Sequence, residues 1–239
     1  LGRLLTLFIA GSIGLGLRFW FKGEFDLDQL LLLLFFPAAS VVVFFIMKKK
    51  IKNDTTYKPS TNEKYMTTHM GDRVSSGVKQ LYDGRTSIGT YHRFYNKLWH
   101  RILADIMEHP GIWYLNLSFN LSNSDSVLFL LKNENKMTGN KEWEIIWNQV
   151  PIGKVHTDLS FKNATKLKES IFLEFNDQSY HYKSFGIGSK TEVTNNNLTI
   201  ATGNRVKGSV YDFQVNDSHK EEKEILFMVF ILFNFYHEQ

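Results

Sequence analysis

The chain has 239 residues, enough for one sizeable core or two modest ones, and no cysteine, which excludes disulfides, thiolate nucleophiles and cysteine-based zinc or iron–sulfur sites. Its net charge is +4, and the whole excess lies in residues 1–52, where seven Lys/Arg stand against three Asp/Glu; residues 53–239 carry 21 of each. A remainder of zero net charge gives no support to a DNA- or RNA-binding domain. The first residue is Leu1 rather than Met, so the expectation is a start further upstream or an unusual one.

Residues 4–21 are apolar apart from Thr6, Ser12 and Arg18, and residues 30–47 contain no charge. Each run would be about 27 Å long as a helix, the length of a membrane span. Ala10, Gly11, Ser12, Gly14 and Gly16 give the first a small-residue face on which the second can pack. Arg18, near one end, can snorkel. A cleaved signal peptide would look similar, because Arg3 precedes an apolar run ending in small residues. The second run directly after it favours a hairpin of two spans.

The loop between the runs carries Glu24, Asp26 and Asp28 against Lys22, whereas Lys48, Lys49, Lys50 and Lys52 follow the second run. The positive-inside rule then puts both outer ends in the cytoplasm. This predicts a cell-membrane protein with two spans and a cytoplasmic domain, joined by a polar linker over residues 53–64.

Residues 78–82 and 87–93, separated by Asp83-Gly84, read as a β-hairpin. Residues 92–109 read as an amphipathic helix ended by Pro110-Gly111, with Tyr95, Leu98, Trp99, Ile102, Leu103 and Ile106 on its apolar face. On the opposite face Arg93, Lys97 and Arg101 recur every four residues. They are either a stripe for anionic lipid headgroups, as the four lysines are, or an ordinary solvated face on which Asp105 pairs with Arg101.

Further strands are expected at 112–121, which alternates cleanly, and at 127–131, 142–147, 152–158, 171–175, 180–185, 192–194, 198–202 and 209–215, with Asn-rich turns between them. The last segment, residues 225–236, is apolar on every side except at Asn234. At about 18 Å it is too short to span a bilayer, so protein must wrap it. Ser218 and Glu221 predict a capping box at its start, and His237 lies at the end that favours a cation. Short strands followed by such a helix predict a barrel or strongly bent sheet closed around it.

None of the eight histidines has metal-site spacing, and neither Gly14-Leu-Gly16 nor Gly186-Ile-Gly188 lies in a nucleotide-binding context. No Gly-x-Ser-x-Gly elbow is present. The Asn-x-Ser/Thr triplets at Asn116, Asn120, Asn163 and Asn197 read as chance in an Asn-rich chain. Trp99, Trp113, Trp143 and Trp147 read as core or as the lining of a ligand pocket. The expectation is a non-enzymatic protein with no cofactor and no metal.

Two stretches are alike: Leu81-Tyr-Asp-Gly-Arg-Thr-Ser-Ile-Gly-Thr-Tyr-His-Arg93 and Ile146-Trp-Asn-Gln-Val-Pro-Ile-Gly-Lys-Val-His-Thr157. Each is a strand, a polar turn, then Ile-Gly and a second strand. Together with the C-terminal apolar helix, residues 78–239 resemble the tubby C-terminal-like superfamily, which includes LURP-one-related proteins and phospholipid scramblases. The resemblance implies a tubby-like β-barrel closed around a hydrophobic C-terminal helix, and a non-catalytic domain that interacts with membrane lipids. The cysteine-rich segment of scramblases has no counterpart here, and no acidic calcium loop is evident. The expected organisation is a hairpin over 1–52, a linker over 53–64 and a barrel over 65–239 whose central helix spans 218–237. It would act as a scaffold or phospholipid-binding sensor with anionic lipids as partners. The alternative is a membrane-tethered carrier or sensor of an apolar small molecule, which requires an open cavity.

Overall fold

A computed structural model describes residues 1–60, 64–132, 139–157, 169–184 and 190–237. Gly186, Gly188, Asn163, Phe185, Asp158 and linker residues 61–63, named above, lie outside these.

Helix α1 (Gly2–Lys22) ends on Gly23, whose left-handed φ of 68° lets the chain turn out of the helix. Arg18 then reaches forward to Asp26 at 3.2 Å, and Asp26 caps α2 (Leu27–Leu33) by accepting from the Gln29 amide. The second apolar run is two helices rather than one: α2 stops at Leu33 and α3 (Phe35–Thr56) follows. Pro37 supplies the reason, since it has no N–H for the Leu33 carbonyl and its ring crowds that oxygen. Of the small residues on α1, Gly11 takes the contact, for a Cβ there would fall 3.1 Å from Leu33 Cδ1 and closer still to Cδ2; Gly14 and Gly16 face open space. Helix α3 also runs past its lysines to Thr56, so the first residues of the expected linker are helical.

Twelve strands among the described residues close into an antiparallel barrel in which each pairs with the next in sequence and the last with the first. They are β1 (Met66–His69), β2 (Lys79–Asp83), β3 (Thr86–Phe94), β4 (Asn116–Leu121), β5 (Ser126–Lys132), β6 (Glu142–Trp147), β7 (Val150–Thr157), β8 (Glu169–Phe175), β9 (Gln178–Ser184), β10 (Thr191–Asn195), β11 (Leu198–Lys207) and β12 (Val210–Val215). Strand β1 has no counterpart among the expected strands, yet it closes the ring between β12 and β2. Side chains alternate between the core and the outside, as in Thr191–Asn195 and Ser126–Lys132.

Up-and-down order puts the tight turns β2–β3, β6–β7, β8–β9 and β10–β11 at one end of the barrel, and the longer connections β1–β2 and β3–β4 at the other, together with the two-residue turn Gly208-Ser209. The tight turns include Asn148-Gln149, Asn176-Asp177 and Asn196-Asn197, all with positive φ as a type I′ turn demands. The repeated Ile-Gly stretches have a shared cause. Gly89 pairs with Leu81 and Gly153 with Ile145, each beside a register shift, and a Cβ on either would fall 2.5 Å from a neighbouring strand's carbonyl oxygen, Asn120 or Glu174.

A 3₁₀ turn (Asp217–Glu222) leads into α5 (Lys223–Tyr236) without any side-chain cap, so the expected Ser218–Glu221 capping box does not form. Ile225 through Phe235 are all buried. Phe230 stacks on Phe213 at 4.9 Å, Phe235 meets Tyr91 edge-on at 6.2 Å, Tyr236 meets Trp143 at 5.4 Å, and the Tyr182 hydroxyl donates to the Leu226 carbonyl at 2.9 Å. These partners sit on β12, β3, β6 and β9. Gly203 on β11 leaves room for Phe230: a Cβ would lie 2.5 Å from its Cζ and closer to Cε2.

Candidate functional site

The polar chemistry gathers at the end of the barrel that carries the long connections, where α3 arrives. Asp54, on the last turns of α3, is fully buried. Its carboxylate accepts from the amides of Gly71 and Asp72, both at 2.8 Å, and bonds the His69 ring. Lys79 lies 3.8 Å away and is equally buried, donating to the Gly77 carbonyl at 3.1 Å. Burial pushes the Lys79 ammonium below its ordinary range, against the pull of Asp72 and Asp54. Thr55 adds a bond to the Val78 carbonyl at 3.0 Å. The connection from β1 to β2 is thus clamped to α3 by an acid that sequence reading left in a linker.

The same connection grips the barrel. Arg73 donates to the Asn234 carbonyl of α5 at 2.9 Å and bonds the Tyr211 hydroxyl. Arg93 donates to the carbonyls of Arg73 and Pro110 at 2.8 and 3.0 Å and to that of Trp113. Tyr95 donates to the Val74 carbonyl at 2.6 Å. Tyr91, buried among these groups, has its hydroxyl 3.1 Å from Thr68 Oγ1, and burial raises its pKa.

Arg93 is therefore no lipid contact. It is buried on β3, which runs to Phe94, and the helix expected from residue 92 begins only at Leu98. The regular spacing of Arg93, Lys97 and Arg101 straddles two elements. Lys97 is the exposed residue just before α4 (Leu98–Ile106), and Arg101 is exposed upon it. Asp105 does not extend a ladder from Arg101; its carboxylate accepts from the backbone nitrogens of Leu1 at 3.2 Å and Gly2 at 2.6 Å. Arg3 donates to the Ile106 carbonyl at 2.7 Å, which pins the start of α1 to α4.

Helix α4 is also inside out relative to expectation. Its buried residues are His100, stacked on Tyr114 at 4.0 Å, and Ala104. Leu98 is 87% and Ile102 61% exposed, with Trp99 and Leu103 also on the outside. Trp143, by contrast, is core, its indole donating to the Leu115 carbonyl at 2.7 Å.

A cleft of about 600 Å³ opens between α1, α3 and α4, with Lys48 and Arg101 among its lining. A neighbouring cleft of about 460 Å³ includes Arg3, Lys50, Arg73 and Arg205. Lys49 and Lys52 are exposed and line neither. On the barrel wall a depression of about 650 Å³ contains ion pairs already made, Lys132–Glu144 at 2.9 Å and Lys154–Glu174 at 3.0 Å. Among the described residues no three His, Asp or Glu side chains come together as a metal site.

Sequence reasoning missed Asp54, His69, Asp72, Arg73 and Lys79. A signal existed for two cations: Lys79 is in phase with Leu81, and Arg93 with Tyr91, on the inward faces of their strands. Comparison with protein-family models, with curated proteins and with solved structures finds no match.

Proposed function

We propose that the protein is a non-catalytic, membrane-anchored scaffold or lipid-sensing module: a tubby-like barrel, closed around α5, held against the anionic cytoplasmic face of a cell membrane. The observation that carries this reading is the outward apolar face of α4, at the end of the barrel from which α1 and α3 depart. Both α1 and the α2–α3 segment are long and apolar enough to cross a membrane. An exposed Leu98 and Ile102 on α4, with Lys48 and Arg101 sharing a cleft with Ile102, match the interfacial region of a bilayer: apolar side chains at the acyl boundary and cations among phosphates. Lysines beyond the spans and acids in their loop support the cytoplasmic orientation.

The carrier alternative needs an open interior of about 300 Å³ or more. The contacts of α5 with inward side chains of β3, β6, β9 and β12 favour a filled barrel instead.

A chain free of cysteine makes the test clean. Leu98→Cys, Ile102→Cys and, at the opposite end of the barrel, Asn196→Cys are labelled with a polarity-sensitive fluorophore in the full chain and reconstituted in vesicles with anionic lipid. The first two labels report an apolar environment and the third an aqueous one. Aqueous emission from all three would overturn the interfacial reading.

A further inference from the structure

The cleft between α1, α3 and α4 is made half by the hairpin and half by the domain. Leu5, Phe44 and Met47 belong to the helices that the reading above places in the bilayer, whereas Val74 and Ile102 belong to the barrel end. We infer that this cleft takes one acyl chain of an anionic phospholipid from the leaflet facing the barrel, with its phosphate between Lys48 and Arg101. This inference rests on α1 and α3 being membrane spans.

Three observations carry it. The volume, about 600 Å³, falls within the range of pockets that enclose a small molecule or part of a lipid. The walls share side chains with the helices, because Leu5 of α1 and Phe44 of α3 are both exposed and line the cleft. A chain entering there leaves one apolar surface for another, at no cost in water contact.

The third is charge. Lys48 and Arg101 line the cleft from two different elements, both exposed, and neither is joined to a carboxylate among the described residues. The carboxylate that shares the lining, Asp105, is turned onto the backbone nitrogens of Leu1 and Gly2. Guanidinium and ammonium groups lining one apolar cleft suit a phosphate whose acyl chain lies within it.

The test uses the full chain in nanodiscs of equimolar phosphatidylcholine and phosphatidylglycerol, released into mild detergent and weighed by native mass spectrometry. The expected result is one retained phospholipid per chain, with phosphatidylglycerol favoured about tenfold or more, the effect of two cations near a phosphate. In the double variant Lys48→Gln/Arg101→Gln the preference collapses to about twofold or less, while the melting temperature is unchanged because both side chains are exposed. A wild-type chain carrying no lipid, or a double variant with undiminished preference, overturns the inference. Alkaline carbonate extraction separates the two possible failures. A chain stripped from membranes by carbonate refutes the spanning reading itself, whereas an integral chain that retains no phosphatidylglycerol refutes only the cleft.

Discussion

At Gly203 a hydrogen atom sets how near β11 comes to α5. Adding a methyl group there drives it into the Phe230 ring, which is itself stacked on Phe213 and cannot swing away freely. Gly203→Ala is expected to cost about 1–3 kcal/mol, the usual penalty of overpacking. Thermal unfolding of the full chain in detergent reads it, and the double variant Gly203→Ala/Phe230→Leu recovers part of the loss because the smaller side chain gives way. Other single residues carried less legible information. Arg93 fits a four-residue period with Lys97 and Arg101 as well as a two-residue period with Gly89 and Tyr91, and only the second is real. Periodicity alone does not separate them, since the strand ends and the helix starts within the same few residues.

At the scale of elements, α5 was the most legible feature, because eleven consecutive buried positions leave a helix no side for water. Its ends were not. The start is a 3₁₀ turn without a cap, and His237, expected as a cation at the C-terminal end, is neutral. Burial holds its imidazole down to about 4 from the ordinary 6.5. As pH falls through 6.5 the unfolded chain takes up a proton that the folded chain refuses until near 4. Stability therefore drops across that window, by at most about 3 kcal/mol, and levels off below it. His92, also held down by burial, adds to the slope with the same sign. Melting temperatures from pH 7 to 4 should show the decline, and His237→Phe should flatten it. Helix α4 was legible as an element but not in its orientation. Its amphipathic pattern names two faces but not which of them meets the barrel, and the side turned to the core carries His100 and Ala104.

For the whole molecule, the hairpins and the helix pointed in advance to a barrel or strongly bent sheet, because alternation and Asn-rich turns are local signals, and the strands do close into a barrel. Strand β1 and the Asp54 clamp were invisible because they depend on partners far along the chain: β1 pairs with β12, and Asp54 meets a connection some seventeen residues on. The clamp makes the hairpin and barrel one stability unit. Asp54→Ala strands the amides of Gly71 and Asp72 and takes from buried Lys79 one of its two acidic neighbours, Asp72 remaining, at an expected cost of about 3–5 kcal/mol. Lys79→Met keeps both amide bonds to Asp54 and removes an ammonium that burial disfavours, so it should cost far less. Thermal unfolding ranks the two, and faster hydrogen exchange at Gly71 and Asp72 in Asp54→Ala alone locates the loss.

The pairing of the first strand with the last has a consequence for the order of events during synthesis. Residues 1–56 leave the ribosome before any of the strands, and the seam between β1 and β12 cannot form until residue 215 has followed. Helix α5 comes later still. At roughly 5–20 residues per second the growing sheet keeps an open edge for many seconds. Throughout that interval the apolar helices α1 to α3, long enough to cross a membrane, have already emerged ahead of the whole sheet. Closure waits for the twelfth strand, and a premature stop before residue 210 leaves an open-edged sheet in place of a barrel.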